Sequence, residues 1–128
     1  MTLFFDRNMG HAIPEALRLL GLPIEKHDDH FPSNAPDEKW LQEVGQRRWV
    51  VVTHDKRIRT NKSQLKALVD HAVGCFILRG TGHLTRWDIV RMIARHWDHI
   101  EETVHTAARP FLHRLYPRRR AEVEQLRS

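Results

Sequence analysis

Apolar and polar positions come in blocks along this chain, and the period within each block predicts its structure. Leu3, Phe4 and Phe5 form a short apolar run, the pattern of a buried strand over residues 2–5. Ile13, Ala16, Leu17 and Leu20 then recur at helical spacing, in a stretch opened near Pro14 and stopped by Gly21. Residues 22–26 form a weaker strand pattern, and Pro32, Ser33, Asn34 and Pro36 break the polar loop that follows. A second helix is predicted over 37–46, with Trp40, Leu41 and Val44 inward. Trp49-Val50-Val51-Val52-Thr53 is a β-branched run of the kind buried on both faces of a parallel sheet. After a basic loop, Leu65, Leu68, Val69 and Ala72 mark a third helix, and 74–78 reads as a further strand. Residues 85–104 read as one long helix, with Val90, Ile93, Trp97, Ile100 and Val104 on one side. Residues 110–116, bracketed by prolines, read as an edge strand. Trp40, Trp87 and Trp97 all fall on apolar stripes and are expected in the core.

Strands that alternate with helices imply βαβ crossovers. The fold class expected is α/β: a three-layer α/β/α sandwich with a mainly parallel four- or five-stranded sheet. One domain is expected over residues 1–117, followed by a basic, charged C-terminal tail over 118–128 that has helical tendency. No repeat, low-complexity tract or Gly/Ser linker interrupts this order.

Composition narrows the class. Charged residues make up 29% of the 128 and apolar residues 41%, which argues against both disorder and a membrane protein. No apolar run is long enough to span a bilayer, and the start lacks the pattern of a secretory leader, so a cytoplasmic location without a membrane partner is expected. The single Cys75 cannot form an internal disulfide and, within Gly74-Cys75-Phe76-Ile77-Leu78, is expected as a buried apolar filler. A formal charge of +5, with ten histidines besides, raises the weight of a polyanionic partner such as RNA.

Three acidic positions carry the chemistry. Asp6 closes the first strand, Asp37 opens the second helix, and Asp55 follows the Val-rich strand in Val52-Thr53-His54-Asp55. Taken singly, each has a structural explanation as a helix cap, a first-turn acid or the start of a turn. Taken together they differ: if the two strands are parallel neighbours, their carboxyl ends meet at one sheet edge, where open α/β sheets place their sites. Convergent carboxylates repel unless a cation lies between them, and hard oxygen ligands suit Mg²⁺ or Mn²⁺.

Phe4-Phe5-Asp6-Arg7-Asn8, Asp37-Glu38-Lys39-Trp40-Leu41 and the run from Gly45 through Thr53-His54-Asp55 resemble the PIN-like domains, specifically the compact type related to toxin ribonucleases of toxin–antitoxin pairs. The resemblance covers roughly residues 2–80 in motif. It implies a metal-dependent endoribonuclease that uses Mg²⁺ or Mn²⁺. By motif position Asp6, Asp37 and Asp55 hold the metal, while Thr53 or Asn8 orients a ligand or water. Larger members supply a further acid from a helix before the position of Asp37. Here Glu38 is the nearest substitute, with Glu15, Asp28 and Asp29 as other candidates. The implied partners are RNA, a cognate antitoxin and a second copy of the chain as a homodimer.

Directly after Asp55 the sequence is basic, and Lys56, Arg57, Arg59 and Lys62, together with Arg7, are the candidate RNA-binding residues. Arg7 could instead pair with a carboxylate when no metal is bound. Arg118-Arg119-Arg120 is a candidate phosphate or partner arm. His96 and His99, near Asp98 and Glu102, carry a weak zinc signal that lacks the usual spacing. Two other readings compete: a non-catalytic RNA- or partner-binding PIN-like module, and a receiver-like signalling domain with Asp55 as phosphoacceptor. Against the receiver, Arg7 stands where a second acid is needed.

Overall fold

The computed structural model describes residues 1–126. Its strands are β1 (Leu3–Phe5), β2 (Ile24–Lys26), β3 (Val50–Thr53), β4 (Gly74–Leu78), β5 (Phe111–Leu115) and β6 (Glu122–Val123). Its α-helices are α1 (Ala12–Leu19), α2 (Asp37–Gln46), α3 (Arg57–Thr60), α4 (Lys62–Asp70), α5 (Arg86–Arg95) and α6 (Trp97–Thr106). Short 3-10 turns lie at Arg7–Met9 and His27–Asp29. The six strands form one sheet in the order β2-β1-β3-β4-β5-β6, parallel throughout except for the antiparallel last pair.

The central strands are buried along their whole length, as continuous apolar runs require in a sheet covered on both faces. Successive side chains serve opposite layers. Leu3, Phe5, Val50, Val52, Phe76 and Leu78 pack with Ile13 and Leu17 of α1, Met92 and Ile93 of α5 and Ile100 of α6. Phe4, Val51, Cys75 and Ile77 pack on the other face with Trp40, Leu41 and Val44 of α2 and Leu68 of α4. The result is the α/β/α sandwich, and Cys75 is a buried free thiol within it.

Four expectations are corrected. The sheet has six strands rather than four or five, because the tail is extended where helix was expected: His113 and Arg114 of β5 pair with Val123 and Glu122. Residues 110–116 therefore do not form the edge, and residues 127–128 of the expected tail lie outside the described residues. The helix over 85–104 is two helices that meet at His96, whose N–H is shared between Met92 O and Ile93 O at 3.2 Å and whose Nε2 donates to Tyr116 O at 2.6 Å. A straight helix of that length is about 30 Å long, whereas a five-residue strand is about 17 Å, so the chain must turn to keep Ile93 and Ile100 on the sheet. The basic stretch after Asp55 is α3 rather than a loop, because Ile58 anchors it in the core and Asn61 Oδ1 caps α4 by accepting from Gln64 N. Finally, Trp87 is 68% exposed, since Ile89, Met92 and Ile93 carry the buried face of α5 and the indole points away from it. No helix among the described residues is long and apolar enough to cross a membrane.

Candidate active site

The strand order reverses between β1 and β3, and β2 lies beyond β1. In open α/β sheets such a switch point leaves a crevice outside the carboxyl ends of the strands. The register sets Phe5 beside Val52, and Asp6 N donates to Val52 O at 3.0 Å, so the chain ends β1 with Asp6 directly against the end of β3. A cleft of about 460 Å³ opens there, and Asp6, Asn8, Asp37 and Asp55 all line it.

Thr53, fully buried at the end of β3, organises the floor. Its hydroxyl donates to Asp6 Oδ2 at 3.0 Å, lies 3.2 Å from Asn8 Oδ1, and accepts from Asp55 N at 3.0 Å. A single hydroxyl hydrogen cannot serve both Asp6 and Asn8, and the charged acceptor gives the stronger bond. Asp6 also caps the following turn through Oδ1, which accepts from Arg7 N at 2.7 Å. Asp37 reaches the cleft from the first turn of α2: Oδ1 accepts from Trp40 Nε1 at 3.0 Å, and Oδ2 accepts from Gln64 Nε2 on α4. Asp55 is gripped by Arg57, with Nε 2.9 Å from Oδ1, Nη2 2.6 Å from Oδ2 and the Arg57 N–H 3.0 Å from Oδ1.

The electrostatics follow from these contacts. Burial pushes the Asp6 carboxyl above its ordinary value; the bonds from Thr53 and Arg7 oppose this, and the charge of Asp37 adds to it. Asp55 is held below its ordinary value, chiefly by the hydrogen-bonded Arg57 guanidinium. Arg57 is in turn raised, first by Asp55 and more weakly by the charges of Asp37 and Asp6. One cation thus feels all three carboxylates.

The remaining predicted residues divide. Arg7 lines the cleft, with Nε 3.7 Å from Asp28. Arg57 lines it as well, but its fork is engaged by Asp55 rather than open to a phosphate. Glu38 faces a neighbouring hollow with Asn61, Ser63 and Gln64, outside the cleft, because it sits one residue further round α2 than Asp37. Lys56, Arg59 and Lys62 are not in the cleft wall: α3 turns Arg59 toward Glu124, 3.6 Å away, while Lys56 and Lys62 are exposed at the starts of α3 and α4. His96 and His99 do not converge on a metal position; His99 Nε2 lies 2.9 Å from Nδ1 of His113.

Asp28 does line the cleft, where it meets Arg7, His11 at 3.3 Å and His27 at 3.2 Å. The signal that finds it is topological, since it follows the carboxyl end of β2, which pairs with β1. Glu15 instead pairs with Lys26, and Asp29 with Arg18, away from the cleft.

The hard oxygen donors that could hold a divalent ion are the carboxylates of Asp6, Asp37 and Asp55 and the Asn8 amide oxygen, with Asp6 largely desolvated. Among the described residues no three His, Cys, Asp or Glu side chains stand close enough to share one ion, and the pairing of Asp55 with Arg57 is one contact that would have to open for it to join a shared site.

A family model described as "PIN like domain" matches residues 1–80, from β1 through β4, and so includes all three aspartates. No curated protein and no solved structure matches the chain.

Proposed function

The chain belongs to the PIN-like domain family, and from that premise we propose that it is a metal-dependent endoribonuclease and the toxin of a toxin–antitoxin pair. The observation that carries the reading is the meeting of Asp6, Asp37 and Asp55 in one cleft at the switch point of the sheet. Asp6, Asp37 and Asp55 would hold Mg²⁺ or Mn²⁺, with the Asn8 amide oxygen beside them. The bound ion supplies an activated water and neutralises charge on the attacked phosphate.

The protein's own groups set the conditions for this. Thr53 fixes the rotamer of Asp6 and the backbone at Asp55 through one buried hydroxyl. Trp40 and Gln64 fix Asp37 from two helices. The Arg57 guanidinium holds the Asp55 carboxyl below its ordinary value and engages both of its oxygens. An RNA phosphate offers that guanidinium another bidentate acceptor, and its transfer frees Asp55 Oδ2, while Oδ1 still accepts from the Arg57 backbone N–H. No side chain has to act as a covalent nucleophile. An antitoxin segment that fills the cleft would inhibit by covering the same carboxylates.

Purified protein should cut single-stranded RNA in Mg²⁺ or Mn²⁺ and stop on addition of EDTA. Asp55→Asn removes the charge at nearly constant volume, so cleavage should vanish while the circular dichroism spectrum and melting temperature persist. Cleavage by that variant at the wild-type rate rejects the role of Asp55. Induced expression in bacteria should arrest growth for the wild type and not for Asp55→Asn, a difference the toxin reading requires. The hold of Arg57 on Asp55 favours a second reading, a PIN-like module that binds RNA or a partner without cutting it. Binding of RNA with no cleavage in either metal would select it.

A further inference from the structure

One face of α5 and the start of the tail enclose a hollow of about 170 Å³, bounded by Leu84, Asp88, Arg91, Arg95, Pro117 and Arg118. Asp88, Arg91 and Arg95 stand at i, i+3 and i+7, so the helix presents them together. Arg95 Nη1 donates to Pro117 O at 2.9 Å, which fastens the tail to the helix and brings Arg118 to the hollow. The arginines of the tail divide at this point. Arg119 lies 3.7 Å over the Tyr116 ring and 3.3 Å from Glu122, while Arg118 stays at the hollow.

Three guanidiniums there face one carboxylate, and that carboxylate has another task. Asp88 closes a capping box with Thr85, accepting from its N–H at 3.1 Å. Among the described residues, the arginine ion pairs involve Arg7, Arg18, Arg47, Arg57, Arg59, Arg114 and Arg119, and none of the three at the hollow. The hollow therefore carries a net positive charge, three guanidiniums against the single carboxylate of Asp88, which its bonds with Thr85 and then the charges of Arg91 and Arg118 hold below its ordinary value.

One residue of its rim also borders a groove that reaches the cleft. Leu84 borders a shallow groove that passes Thr81, Gly82 and His54 and reaches Asn8, Asp55 and Arg57. Those last three residues are walls of the carboxylate cleft. The cleft itself offers Asp6, Asp28, Asp37 and Asp55 against Arg7 and Arg57, a balance that repels a polyanion. Attraction for a nucleic acid strand has to come from outside it.

We infer that Arg91, Arg95 and Arg118 form a phosphate subsite that holds the backbone of an RNA strand lying along this groove, away from the reacting phosphate. The identity of the strand rests on the nuclease reading; the binding does not depend on cleavage. Guanidinium forks match phosphodiester oxygens, and contacts of this kind read no sequence but release counterions, so they make affinity steeply dependent on salt.

The test titrates the full chain in EDTA with a labelled single-stranded RNA of about a dozen nucleotides, at several salt concentrations. The double variant Arg91→Ala/Arg118→Ala should bind roughly ten-fold more weakly and lower the slope of log affinity against log salt by about 1.4. Arg95 is left in place because it also anchors Pro117. A charge-matched control, Arg47→Ala/Lys66→Ala, removes one cation just past α2 and one from α4 and should leave affinity and slope close to wild type. An unchanged slope in the first variant, or an equal loss in the control, overturns the subsite. Displacement of the RNA by polyglutamate as effectively as by unlabelled RNA overturns it too, in favour of an acidic protein segment. Failure of the wild type to cut RNA would sink the nuclease reading and leave this comparison intact.

Discussion

The Thr53 hydroxyl ties Asp6 and the backbone of Asp55 to one buried point, with Asn8 Oδ1 3.2 Å away. Thr53→Val keeps the β-branched shape and removes every one of those bonds. It should cost about 1–3 kcal/mol in urea unfolding and lower cleavage at least as severely as it lowers stability. Asp6 behaves differently, since its charge is desolvated and set near Asp37. Asp6→Asn should leave the melting temperature in EDTA unchanged or raised while abolishing any stabilisation by Mg²⁺ or Mn²⁺. A clear drop in metal-free melting temperature would show that the carboxylate is structural. For Arg57, the competition with metal has a direct readout: Arg57→Ala should lower the Mn²⁺ concentration that gives half-maximal thermal stabilisation. A higher requirement would mean that the guanidinium organises Asp55 for the ion rather than withholding it.

At the scale of elements, the cleft depends on how closely α2 and α4 approach, because Asp37 on one is held by Gln64 near the start of the other. That approach is set at Gly45, where a Cβ would lie 2.3 Å from the His71 carbonyl oxygen at the end of α4. Backbone cannot yield as a side-chain tip can, so Gly45→Ala should cost about 1–3 kcal/mol and loosen Asp37 together with the packing. Loss of RNA cleavage greater than the loss of folded protein would locate the effect at the Asp37–Gln64 bond. The far side of the sheet carries a second element-level contact, where His113 of β5 packs between Phe76, Phe111 and His99.

Burial, and then the neighbouring His99, depress His113 from 6.5 to about 4. The effect on the whole molecule has a definite sign. Above pH 6.5 neither state is protonated at this ring and it contributes nothing to pH dependence. Between 6.5 and about 4 the unfolded chain binds a proton that the folded one refuses, so stability falls as pH falls and levels off below the folded value. The full loss is on the order of 3 kcal/mol. Urea unfolding of wild type and His113→Phe at pH 7 and pH 4.5 should show a smaller acid loss in the variant. Equal losses would remove His113 as the cause.

The order of strands and helices was legible in the chain because burial on two faces leaves a strong imprint: Leu3-Phe4-Phe5, the Val50–Val52 run and 74–78 can lie nowhere but inside a covered sheet. The three aspartates were legible for the same reason, since each sits at an element end that the pattern marks. Contacts between residues distant in the chain left no such imprint. The break at His96 answers to the length of the sheet, and the strand at 122–123 exists only because β5 offers an unpaired edge. The entry of Asp28 in place of Glu38 follows from the position of β2 beside β1. Periodicity reports the environment of each residue but not its neighbour across the fold. So the sequence by itself determined which strands are buried on both faces and which acids stand at element ends, while only the tertiary structure decided that Trp87 would face outward, that Arg57 would hold Asp55 and that Arg118 would join α5.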